Sequence, residues 1–180
     1  MKNQNTKKVA YAALFLALCL VLPMLTGQIP QIGSMLLPMH IPVLLCGLVC
    51  GWQYGAAVGF VAPLLRSVLF GMPPMYPVAI AMAFELLTYG LVIGLVYRRM
   101  AQKGAAGVYA ALLTAMVAGR LVWGVAEVVL LGLGGKAFTA QAFLAGALLN
   151  AVPGIIVQLV LIPAVMAALQ KAGAVKEYAE

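Results

Sequence analysis

The stretch YPVAIAMAFELLTYGLVIGLVYRR, residues 76–99, decides the fold. Over 76–97 it is long enough to cross a bilayer core, which takes about 20 helical residues. It carries one charge on the way, Glu85, and then meets Arg98 and Arg99. A soluble helix of that length would keep a broad polar face. This one is apolar nearly all round.

Outward from it, the pattern repeats. Further apolar runs cover 9–25, 36–50, 55–70, about 107–131 and 141–169. Pro23 and Gly27, the turn Gly51-Trp52-Gln53-Tyr54, the break Gly71-Met72-Pro73-Pro74 and the run Gly132-Leu133-Gly134-Gly135 punctuate them. The 180 residues are 65% hydrophobic and 8% charged, and the four acidic residues are all Glu. Ordinary soluble domains carry about a quarter charged residues. So little polar surface excludes a soluble globular protein, a disordered chain and a disulfide scaffold. The first run is long and more follow it, so it reads as a span and not a cleaved signal. The expected fold is an all-α integral membrane protein, one domain over 1–180 with six transmembrane helices.

Charge sets the direction. Six spans put both termini on one side, together with the loop after span four. That side collects Lys2, Lys7, Lys8, Arg98, Arg99, Lys103, Lys171 and Lys176, against Lys136 opposite. The positive-inside bias makes it cytoplasmic. The net charge of +7 is therefore mostly topology. No basic aromatic patch calls for nucleic acid.

Ionisable groups at membrane depth are expensive and invite a functional reading. Arg66, Glu85, Arg120 and Glu127 lie inside the runs, His40 at the outer mouth of span two, and Asn150 and Gln158 in span six. At 1.5 Å per residue, Glu127 and Arg66 fall roughly 5 Å from the outer helix ends, Glu85 and Asn150 about 13 Å, and Arg120 about 16 Å. Arg120, Trp123 and Glu127 form one helical stripe. Glu85, Thr88 and Tyr89 share a face, as do Asn150, Gly154 and Gln158. Converging, these faces would line a small-molecule pocket open to the outside. Two cations and two anions could equally pair as internal struts.

Small residues form a second pattern. Ala10, Ala13 and Ala17 line one face of span one, and Gly47, Gly51, Gly55 and Gly59 recur every four residues. Such faces let helices approach closely. Cys19, Cys46 and Cys50 lack His or acid neighbours at metal-site spacing and read as small hydrophobes. There is no phosphate loop, no zinc pattern and no nucleophile set, so neither an enzyme nor a resident cofactor or metal is expected. Energy for active transport would come from a partner or an ion gradient.

The chain resembles the substrate-binding S components of energy-coupling factor (ECF) vitamin transporters. The carriers are Ala13-Leu-Phe-Leu-Ala17, similar to the family's AxxxA motif, Pro38-Met-His-Ile-Pro-Val-Leu-Leu45, Ala62-Pro-Leu-Leu-Arg-Ser67, Gly71-Met-Pro-Pro-Met-Tyr-Pro77 and Ala83-Phe-Glu-Leu-Leu-Thr-Tyr-Gly90. The resemblance implies a vitamin or related micronutrient bound near the outer face, by spans four to six, under a lid formed by 26–35. It implies that Ala13 and Ala17 meet a membrane coupling subunit. Two cytoplasmic ATPases would drive the subunit to topple in a bacterial cell membrane. Glu85 and Asn150 match thiamin-binding members, but Arg120 and Trp123 stand where those carry a His. His40 and Arg66 would suit a carboxylate-bearing vitamin such as pantothenate or niacin. The expected site is Arg66, Glu85, Trp123, Glu127 and Asn150, with His40 and Tyr76 near the mouth. An ion-gradient carrier using Glu85 or Glu127, and a structural membrane protein, are the other readings.

Overall fold

A computed structural model describes residues 2–25, 35–100, 104–135, 137 and 139–173. It is helical, with no strand among the described residues. The helices are α1 (Lys2–Leu25), α2 (His40–Cys50), α3 (Trp52–Phe70), α4 (Ile80–Met100), α5 (Ala105–Leu133), the short α6 (Ala140–Leu144) and α7 (Val152–Lys171). A π turn, Met75–Ala79, leads into α4, and a second, Ala145–Leu149, follows α6.

Among the described residues six apolar segments are present, and five are long and apolar enough to cross a membrane. The exception is α2. Its 11 residues rise only about 16 Å, roughly half a hydrocarbon core. The last apolar segment is divided. Pro153 sits in the first turn of α7, where its missing N–H costs nothing and its ring disfavours helix just before it. The chain therefore breaks between Leu149 and Val152.

Helix α4 is the centre of the bundle. It packs most extensively on α3 and α5 and also touches α2. Glycines make the α2–α3–α4 contact close. A Cβ on Gly55 would lie 2.7 Å from the Gly47 Cα and 2.8 Å from the Gly90 carbonyl oxygen, and one on Gly94 would lie 2.5 Å from the Trp52 backbone. Of the four-residue glycine series, Gly47, Gly55 and Gly59 serve this contact, while Gly51 makes the turn at φ 98°. In lipid, where apolar burial drives little, such backbone proximity supplies the packing attraction. Cys19, Cys46 and Cys50 are buried thiols in this core, and the Cys19 thiol donates to the Met39 carbonyl at 3.7 Å. Outward faces stay apolar, with Val117, Leu121, Val125 and Val128 exposed along α5.

Contacts sort the helix ends. Gly94 meets Trp52, Gly107 meets Met100, and the Gln170 amide donates to the Tyr97 hydroxyl at 3.2 Å. These fix one end of the bundle, which also receives the start of α1, because Cys19 lies at the opposite end beside Met39. Lys7, Lys8, Arg98, Arg99 and Lys171 thus share one end. The other end holds Arg66, Tyr76 and the last turns of α5. Lys103, Lys136 and Lys176 lie outside the described residues.

Candidate functional site

Three helices bring three ionisable side chains together near the middle of the bundle. His40 opens α2, Glu85 lies in the second turn of α4, and Arg120 lies midway along α5. The Arg120 Nη1 is 2.9 Å from Glu85 Oε1, and His40 Nε2 is 3.4 Å from the same oxygen. Side-chain exposure is 2% for His40 and Glu85 and 12% for Arg120. Each charge is costly at this depth, so the cluster holds only because the carboxylate faces a guanidinium.

Tyr89, one turn after Glu85, packs its ring edge against the His40 ring, with centroids 5.1 Å apart. Gly119 gives that ring its room, because a Cβ there would sit 2.6 Å from Tyr89 Cε2. On the outer side, the Arg120 guanidinium lies 6.0 Å from the Trp123 ring centroid. Trp123 stacks on Phe143 at 6.1 Å and 26°. Gly146 abuts Trp123. The site is thus a buried ion pair with a polarisable His on one side and an aromatic stack on the other.

Several buried polar atoms here have no hydrogen-bond partner. They are both His40 ring nitrogens, Glu85 Oε1, Arg120 Nε and Nη2, and Gln158 Nε2. Gln158 is buried one turn along α7 from Gly154, which packs on Leu36 just ahead of α2.

The remaining expected site residues are placed elsewhere. Arg66 is buried on α3, but its guanidinium donates to the Leu20 carbonyl and lies 5.2 Å from the Phe70 ring centroid. It ties α3 to α1 one turn before Pro23. Arg66→Met is expected to lower the thermal midpoint in detergent, by an amount corresponding to about 1–3 kcal/mol. An unchanged midpoint would show that the Leu20 bond is not structural. Tyr76 is exposed and donates to the Leu130 carbonyl. Glu127 is buried two turns beyond Arg120. Asn150 is exposed in the break before α7, its backbone N–H donating to the Ala145 carbonyl at 2.9 Å. Thr88 donates to the Phe84 carbonyl of its own helix. Ala13 and Ala17 are exposed on α1. The lid segment 26–35 lies outside the described residues except for Met35.

Sequence spacing did not single out Phe143, nor the direct meeting of His40 with Glu85. Gly124 and Gly146 were the available signal for Phe143. Both are small residues that abut a ring of the Trp123–Phe143 stack.

A family model described as ECF transporter, substrate-specific component, matches residues 7–167. The chain belongs to this family. It is therefore the substrate-binding subunit of an ECF transporter, a multi-pass membrane protein and a transporter component. Membership also implies a small-molecule substrate and association with the ECF module of coupling subunit and ATPases. No curated protein and no solved structure matches this S component.

Proposed function

We propose that this S component captures a vitamin or related micronutrient at the His40–Glu85–Arg120 cluster. One observation carries the reading. A charged cluster is held at membrane depth, next to an aromatic stack, in a family whose role is to bind substrate. The cluster fixes the polar part of the ligand, and Trp123 with Phe143 takes the flat or apolar part. Glu127 and Asn150 are proposed for the rim of the site, whereas Arg66 and Tyr76 spend their polar groups on the Leu20 and Leu130 carbonyls.

Direction follows from charge. The end with Lys7, Lys8, Arg98, Arg99 and Lys171 faces the cytoplasm of a bacterial cell. The substrate arrives from the other side. The exposed Ala13 and Ala17 face meets the membrane coupling subunit, and two cytoplasmic ATPases supply the energy.

The test is binding of water-soluble vitamins to the purified protein in detergent. At least one is expected to bind and raise the thermal midpoint. Trp123→Ala is expected to weaken that binding about 10-fold or more, by removing the stacking surface. If the variant binds as the parent does, the aromatic stack is not part of the site. An ion-gradient carrier is distinguished by uptake that survives loss of the ATPases and collapses with an uncoupler.

A further inference from the structure

We propose that the substrate is a monocarboxylic acid whose carboxylate docks edge-on against Arg120 Nε and Nη2. This rests on the substrate-capture reading above and specifies its chemical class. Arg120 uses Nη1 on Glu85, at 2.9 Å. The other edge of the guanidinium, Nε with Nη2, presents two parallel N–H bonds, which is the fork that matches a carboxylate. Both nitrogens are buried and without an acceptor.

Gln158 Nε2, on α7, is a further buried donor without an acceptor, while both His40 ring nitrogens and Glu85 Oε1 also lack a hydrogen-bond partner. Three of these atoms, Arg120 Nε and Nη2 and Gln158 Nε2, can only donate, against one, Glu85 Oε1, that can only accept. Buried donors left unmade are costly, and native proteins satisfy nearly all of them. A ligand offering only donors, or carrying a cation, would leave these groups unmade and set like charges together. An acceptor-rich anion satisfies them.

Charge balance narrows the anion. Glu85 already pairs with Arg120, so any further negative charge has to be met by hydrogen bonds in a low-dielectric site, where a monoanion costs less than a phosphate dianion. Arg66 is not the anion site, because its guanidinium is directed at Leu20 and Phe70.

The experiment compares acids with their uncharged counterparts on the intact protein in detergent. The probes are nicotinate with nicotinamide, pantothenate with pantothenol, and biotin with its amide, beside the other water-soluble vitamins. The expected result is one acid that binds about 10- to 100-fold more tightly than its counterpart, the range of a charge-assisted pair. Arg120→Lys keeps the charge and removes the fork, and is expected to erase most of that difference. Tight binding of an uncharged or cationic vitamin, with no preference for acids, overturns this inference and leaves substrate capture standing. An acid preference that Arg120→Lys leaves intact in a folded variant overturns the assignment to the fork. If no vitamin binds and none co-purifies by mass, substrate capture itself fails.

Discussion

Glu85→Ala is expected to destabilise the protein by about 3–5 kcal/mol, as loss of one partner of a buried ion pair does. The carboxylate is the shared charge partner of Arg120 and His40, at 2.9 and 3.4 Å, and almost no solvent reaches it. Without it, Arg120 stands as an uncompensated cation between α4 and α5, the two helices that carry much of the packing. A lower thermal midpoint in detergent, with loss of vitamin binding, is the expected measurement. The decisive comparison is the double variant Glu85→Met with Arg120→Met. Removing both charges restores apolar packing, so this variant is expected to regain most of the lost stability while still failing to bind. A double variant no more stable than Glu85→Ala would show that the cost does not come from the stranded charge.

Gly59→Leu is expected to disrupt the bundle by about 3 kcal/mol or more, at the upper end of overpacking effects. A Cβ at Gly59 would overlap the Leu86 carbonyl and lie 2.9 Å from the Leu87 nitrogen. Those are backbone atoms of the central helix and cannot rotate away. The helices α3 and α4 must separate, and the Gly55–Gly90 contact one turn along goes with them. Gly132→Leu is the matched control, since a Cβ there meets nothing within 4 Å. Equal thermal midpoints and equal elution profiles for the two variants would show that the close approach contributes nothing.

Composition and charge made the architecture legible. Long apolar runs with basic flanks leave few alternatives, and among the described residues Lys7, Lys8, Arg98, Arg99 and Lys171 gather at one end. Helical spacing also marked Glu85 and Arg120 as inward-facing. What spacing along one helix does not carry is which groups meet across helices. His40 read as a residue at a mouth, because α2 was expected to start at 36. In the structure α2 begins at His40 itself, after Leu37 takes a positive φ of 50°. That late start sets the imidazole level with Glu85 instead of above it. Asn150 read as an inward polar residue because, in one helix over 141–169, it shares a face with Gly154 and Gln158. The Ala151-Val152-Pro153 sequence was the local sign of a break there, and it turns Asn150 out of the helix register.

The shortness of α2 has an electrical meaning. Its inner end is level with the basic end of the bundle, and its 11 residues reach about 16 Å back across the hydrocarbon. In a bilayer with a hydrocarbon core of about 30 Å, His40 and the carboxylate beside it would therefore sit roughly half-way down the voltage drop. A full elementary charge crossing that drop exchanges about 2.3 kcal/mol per 100 mV, so a charge halted at this depth exchanges about half of that. Occupancy of the cluster by an ion is thereby coupled to the membrane potential, whereas occupancy by a neutral molecule is not.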